Sequence, residues 1–350
     1  MAGKVPWHHC QYRKETGNTE MLNNRYCLIL LMAAMLLVPT SCSIIDEDLS
    51  DCGIDNKIVY RLQLVTNVQT ELSGQLTVEA EQPVASALKA SLGNIFTEKA
   101  HDIDLSFYNT DDQRERHEQH IMDASSAEYV VYLPERDYRN LSVANISDAA
   151  NVTLVSPEYG HRGMVLEQMV ADTIDSHTTG MFTARKIIQV CKCTESYDVD
   201  LYMANCCTAL VVDTAGVYVK GVNVVAQDFA SRFAVGDSIY SFDNDVVIRS
   251  NEISIPKDLH RTCHYVVSFP SADKTRADAG AYYRIKAYVT LADGTITENV
   301  MTVETPLSAG NLKIIKMRMK ADGSLTPECH DVGVSVTLDW KQGGVYEPDI

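Results

Sequence analysis

The sequence predicts an all-β protein built as two β-sandwich domains in tandem, with a short helix in the first. Three observations predict it. Apolar residues recur at every second position in run after run from Ile58 onward; one stretch, after Pro83, carries them at helical spacing; and turn residues such as Asp293-Gly294 separate the runs. A period of two marks a strand with one buried face, and many short runs divided by turns read as packed antiparallel sheets.

The first run sets Ile58, Tyr60, Leu62 and Leu64 against Val59, Arg61 and Gln63. Val84, Leu88, Leu92, Ile95 and Phe96 then fall on one helical face, placing a helix over the first sheet pair. Ile103, Leu105 and Phe107, then Tyr129, Val131 and Leu133, then Leu141 and Val143 continue the alternation through a first domain, residues 58–195. A second domain, residues 196–350, opens at Val199, Leu201 and Met203. It proceeds through Leu210-Val211-Val212, Val222 and Val224, then Tyr265, Val267 and Phe269, then Tyr283, Ile285, Ala287 and Val289. Asp293-Gly294 tolerates the positive φ that a tight primed hairpin turn requires.

The last run, residues 332–340, is the cleanest strand: Val332, Val334, Val336, Leu338 and Trp340 alternate with Gly333, Ser335, Thr337 and Asp339. The stretch Ala321 to Glu328 reads as a loop that sets this strand off. A detached amphipathic strand can complete a sheet edge on its own domain or on a neighbour.

Before the first strand, Arg25 precedes an apolar run from Tyr26 to Val38. A basic start followed by roughly 13 apolar residues has the layout of a secretion signal and falls short of the roughly 20 residues needed to span a bilayer. The run ends at Pro39-Thr40-Ser41-Cys42, where small residues directly before a cysteine resemble the lipobox of bacterial lipoproteins. Pro39 stands where that motif usually has leucine. The reading is a leader over residues 1–41, an acylated Cys42 as the first residue after cleavage, and a tether over residues 42–57. Residues before Met21 match no signal pattern, so the start codon is open between Met1 and Met21. Asp46-Glu47-Asp48 beyond Cys42 resembles the signal that sends some Bacteroidota lipoproteins to the outer surface, which places the chain at the outer membrane, exposed outward.

The chain has 350 residues and a net charge of −17; four basic and two acidic residues precede Cys42, so the remainder is more acidic still. Such a chain repels phosphate backbones, which argues against a nucleic-acid partner. Seven cysteines follow Cys42, at 52, 191, 193, 206, 207, 263 and 329. An odd number without regular spacing is no disulfide framework, and pairing cannot be read from it.

Tests for chemistry come out negative. In His117-Glu118-Gln119-His120 the histidines stand three apart, not the four that would share a helix face with the glutamate of a zinc protease; the charged neighbours make it a solvated loop or hairpin tip. Cys191-x-Cys193 and Cys206-Cys207 lack zinc-ribbon spacing. Asp243-Asn244-Asp245 opens like a calcium loop, but Val247 and Ile248 occupy positions that need a ligand and a glycine. No nucleophile elbow or phosphate loop is present. The expectation is no enzyme, no metal and no cofactor.

Three features together, the acylated Cys42, Glu47-Asp48-Leu49-Ser50-Asp51-Cys52 and the closing Val-x-Val-x-Leu-Asp-Trp strand, resemble the FimB-type fimbrial anchor lipoproteins of Bacteroidota. Ile103-Asp104-Leu105-Ser106-Phe107-Tyr108 and Met181-Phe182-Thr183-Ala184-Arg185 match more loosely. The resemblance implies two transthyretin-like, Greek-key sandwiches. It also implies a role at the base of a fimbria, holding a shaft of fimbrillins to outer-membrane lipid and limiting its length. The alternative is a surface lipoprotein that binds glycans or another ligand.

Overall fold

The computed structural model describes residues 55–65, 82–93, 95–96, 100, 102–119, 128–192, 196–243, 246–256, 259–271, 281–328 and 334–339. Cys42, Val332 and Trp340 lie outside them, as do Cys52, Cys193, Cys329, His120 and Asn244-Asp245.

In chain order, strand β1 (Asn56–Val65) is followed by helix α1 (Gln82–Leu92), then β2 (Ile103–Tyr108), β3 (Arg114–Glu118), β4 (Glu128–Leu133) and β5 (Asp137–Ala144). Three short strands come next, β6 (Val152–Val155), β7 (Val165–Gln168) and β8 (Thr173–Asp175), before β9 (Phe182–Gln189) and β10 (Ser196–Met203). The second half holds β11 (Cys206–Asp213), β12 (Val219–Gln227), β13 (Arg232–Ala234), β14 (Ile239–Ser241), β15 (Val247–Arg249) and β16 (Asn251–Ile253). It ends with β17 (Arg261–Ser268), β18 (Tyr283–Leu291), β19 (Ile296–Val303), β20 (Leu312–Met319), β21 (Leu325–Pro327) and β22 (Val334–Asp339). The all-β class read from the alternation is what the fold shows.

Four sheets result. The first has the order β3-β2-β5-β9-β10-β1-β4, the second β16-β17-β11-β20-β21, the third β22-β19-β18-β12-β15-β8 and the fourth β14-β13-β7-β6. Most neighbours are antiparallel, but β1 runs parallel to β10 from Val59↔Ser196 to Val65↔Tyr202, and β11 runs parallel to β20. The second and third sheets pack face to face around Leu210, Val224, Ile285, Met301 and Met317. The other face of the second sheet, with Cys207, Val211 and Cys263, joins a core shared with α1 and the first sheet. A run such as Cys206 to Val212, apolar but for Thr208, is therefore the natural sequence for β11, which is buried on both faces.

The helix follows its sequence pattern: Val84, Leu88 and Leu92 are buried, and Ile95 and Phe96 just beyond it enter the same core. Gly180 makes the close approach possible, since a Cβ there would sit 1.7 Å from the Ile95 carbonyl oxygen.

The expected boundary at residue 195 falls between two strands of one sheet. β10 lies past it yet sits in the first sheet between β9 and β1. In the other direction β7 pairs with β13, Leu166 opposite Phe233, and β8 runs parallel to β15, Ile174 opposite Ile248. The halves share sheets as well as a core.

Two local expectations are corrected. Arg114 to Glu118 is not a loop or hairpin tip but the edge strand β3, paired to β2. The Asp293-Gly294 hairpin joins β18 to β19, but of the pair only Gly294 has positive φ, +93°. Asp293 instead accepts a hydrogen bond from the Thr295 N–H at 2.9 Å, and the Leu291 N–H donates to the Thr295 carbonyl at 2.9 Å. A four-residue turn held by an Asp side chain replaces the two-residue primed turn.

Candidate functional site

The strand that the sequence sets apart, β22, lies at the edge of the third sheet. Hairpin β18–β19 forms because two alternating runs flank the turn at Asp293. On β19 the alternation buries Thr297, Asn299, Met301 and Val303 and leaves Glu298, Val300 and Thr302 partly exposed. Outside, Glu298 accepts from the Tyr288 hydroxyl at 3.3 Å and lies 3.7 Å from the Lys286 ammonium.

Strand β22 lies antiparallel against β19, with Val334 in register with Val303, Val336 with Met301 and Leu338 with Asn299. Three residues of the expected five-residue face are thus partnered with buried positions of β19. Val332 and Trp340 are outside the described residues.

The approach to this strand is pinned. Leu325–Pro327 pairs with β20, so the stretch read as a loop contains β21. Asn299, fully buried, accepts from the Leu325 N–H at 2.8 Å and donates to the Gly323 carbonyl at 3.1 Å. The Thr297 hydroxyl donates to the Asp322 carbonyl at 2.8 Å. Gly323 has φ +81°, and a Cβ on it would lie 2.9 Å from the Thr297 hydroxyl oxygen. The Ser324 hydroxyl and N–H both donate to the Asp322 carboxylate, which holds that carboxyl below its usual range. Arg318 stands between Asp213 at 3.6 Å and Glu328 at 3.9 Å.

These anchoring residues were missed from sequence. The available signal was Thr297 and Asn299 standing in the inward frame of an otherwise apolar alternation, where a buried polar side chain needs partners.

The described cysteines lie elsewhere, at 191, 206, 207 and 263. Cys191 is disulfide-bonded, while Cys206, Cys207 and Cys263 are buried thiols. Burial raises all three, Cys263 to about 12, so they stay protonated and poor as ligands or nucleophiles. Among the described residues no group of three or more His, Cys, Asp or Glu could hold a metal ion, and no helix is long and apolar enough to cross a membrane.

No protein-family model and no curated protein matches the chain. Solved structures do. A candidate polysaccharide-binding protein from Bacteroides thetaiotaomicron matches with a TM-score of 0.51 at 8% identity, over 81% of this chain and 96% of that one. A candidate adhesin from Bacteroides ovatus matches with a TM-score of 0.50 at 9% identity, over 83% and 96%. The fimbrial anchor protein Mfa2 from Porphyromonas gingivalis matches more loosely, with a TM-score of 0.45 at 7% identity, over 80% and 94%. The first two likenesses extend over nearly the whole of those chains and show a common fold.

Proposed function

We propose that the protein is a surface lipoprotein of the outer membrane that anchors a fimbria, held to the lipid by acylated Cys42 and offering β22 to a fimbrillin of the shaft. The observation that carries the reading is the place of β22: a short alternating strand at a sheet edge, reached from the pinned end of β21. The short apolar leader before Cys42, the shared fold with candidate adhesins and the resemblance of the Cys42–Cys52 stretch and the closing strand to fimbrial anchors support it.

The mechanism is strand exchange. In its own sheet β22 satisfies the outer hydrogen-bonding edge of β19; in a partner groove it would satisfy the same backbone groups of another chain. The five residues between Glu328 and Val334 span at most about 18 Å when extended, so the shaft subunit must dock close to this edge. Val332, Val334, Val336, Leu338 and Trp340 form the inserted face, each contributing roughly 1.5 to 3 kcal/mol if fully buried. By filling the groove of the basal subunit, the donated strand closes the end at which another subunit would add, which is how the anchor contributes to assembly and length.

Truncation after Pro327 tests this. The expected result is a folded, surface-held protein on cells that shed their fimbriae into the medium, measured by immunoblot of cells and medium. Fimbriae retained in normal amount would sink the strand-donor mechanism. Cys42→Ala tests the tether separately: the protein itself should leave the membrane fraction in folded form.

A further inference from the structure

The turn spanning residues 156–163 crosses the edge of the first sheet at β3, and the angle between them forms a cleft of about 350 Å³. Gln113, Arg114, Arg116 and His117 line it from the edge strand, Glu158 and Tyr159 from the turn. The two sides are bonded together. Gln113 and Tyr159 form a β-bridge, the Arg114 N–H donates to the Glu158 carbonyl at 2.7 Å, and the Gly160 N–H donates to the Asp112 carbonyl at 3.0 Å. Behind them, the Arg114 guanidinium donates to the Ser156 hydroxyl at 3.0 Å and the Tyr108 hydroxyl to the Pro157 carbonyl at 2.8 Å. The wall is therefore set before any ligand arrives, which removes an ordering cost from binding.

Tyr159 is held on this wall with 65% of its surface exposed, the opposite of what packing alone would favour for a tyrosine. Gln113, Arg116 and Glu158 beside it are exposed too. The set offers an amide that donates and accepts, a carboxylate that accepts, a guanidinium that donates, and one aromatic face. Arg116 is paired with Glu118 and Glu115 with Arg136, which leaves Arg114 against Glu158, so the cleft carries no net charge and selects neither anion nor cation. Polar side chains dominate the lining, which disfavours an apolar ligand.

We infer that this cleft binds carbohydrate, with the C–H face of a neutral pyranose on the Tyr159 ring and its hydroxyls bonded to Gln113, Glu158 and Arg116. A sugar is the ligand class that combines many donors and acceptors, no net charge and an apolar face. The site lies in the first sheet and is independent of the exchange edge on β19.

The test applies the full-length protein in detergent to an array of defined neutral and sialylated oligosaccharides, followed by calorimetric titration of the strongest neutral binder. Neutral glycans should be retained above the blank. Tyr159→Ala should weaken the titrated glycan at least about tenfold, Tyr159→Phe by no more than about threefold, and Tyr218→Ala, at an exposed tyrosine outside the cleft, not at all. Should Tyr159→Ala melt early, Gln113→Ala replaces it, with a loss of about threefold or more. No glycan above blank, a preference for sialylated glycans, or affinity that neither variant moves would overturn the assignment. Fimbrial attachment should be unchanged in Tyr159→Ala, so failure here leaves the anchoring reading standing.

Discussion

Asn299 has no exposed surface, and its amide joins β19 to the Gly323 carbonyl and the Leu325 N–H. Removing it strands both backbone groups in a place where water does not replace them. Each such loss costs about 1 to 3 kcal/mol, so Asn299→Leu should lower stability by roughly 2 to 6 kcal/mol in urea denaturation. A change under about 0.5 kcal/mol would show that the loop holds without it. Two histidines act differently. His177 packs edge-on against Phe269 at 5.3 Å, and burial pushes its pKa down to about 3; burial takes His264, whose Nδ1 lies 3.4 Å from the Ser250 hydroxyl, to about 4. Both are depressed below 6.5, so the fold prefers them neutral. Their effect is absent above pH 6.5, and stability falls as pH drops below it, by about 1.4 kcal/mol per pH unit for each, until the folded pKa is reached. Denaturation midpoints measured from pH 7 to pH 4 should show this decline, and His264→Asn should make it shallower.

Among the elements, edges differ in how they are protected. β3 carries Arg114, Glu115, Arg116, His117 and Glu118, a charged edge that discourages pairing with another chain. β22 carries an alternating apolar sequence at its edge and is the element expected to change partners. If so, Thr337→Pro, which removes a backbone donor within the strand, should reduce fimbrial attachment while leaving the body of the protein folded, as read by surface immunoblot and circular dichroism. Most strands were legible because alternation survives wherever a strand has one wet face, as in β10 and β19. It misleads where both faces are covered. Ile103, Leu105 and Phe107 enter the core with the helix, whereas Leu141 and Val143 on the neighbouring β5 point into a separate core with Met164 and Phe233. Asp104, Ser106, Asn140 and Ser142 look like solvent positions in sequence, yet all are buried. Strands of three or four residues such as β6, β8 and β13 are too short to show any period. The glycan cleft was illegible for another reason: Gln113 and Tyr159 lie 46 residues apart and meet through one bridge.

At the scale of the molecule, the halves are bound by more than the link at residue 204. The Ser176 hydroxyl accepts from the Val267 N–H at 2.9 Å, the His177 N–H donates to the Val267 carbonyl at 3.0 Å, and Asn205 donates to the Thr179 carbonyl at 2.9 Å. With β7 and β8 paired into sheets of the second half, neither half has a complete set of strands alone. A chain ended at Glu195 lacks β10 and leaves one side of β1 open, so it should fail to give a cooperative thermal transition in calorimetry, while the whole chain unfolds in one. Two separate transitions in the whole chain would contradict this.

The parallel pairing of β1 with β10 also bears on time. Val59 is among the first residues of the fold to be made, yet its partner Ser196 follows 137 positions later. The middle of the first sheet therefore closes only after a long loop has been gathered, and pairings of that separation form slowly. Until then β1 has β4 alone beside it. A chain arranged in this way stays unfinished while its first half is being made, and its first sheet locks only when somewhat more than half of the chain has arrived.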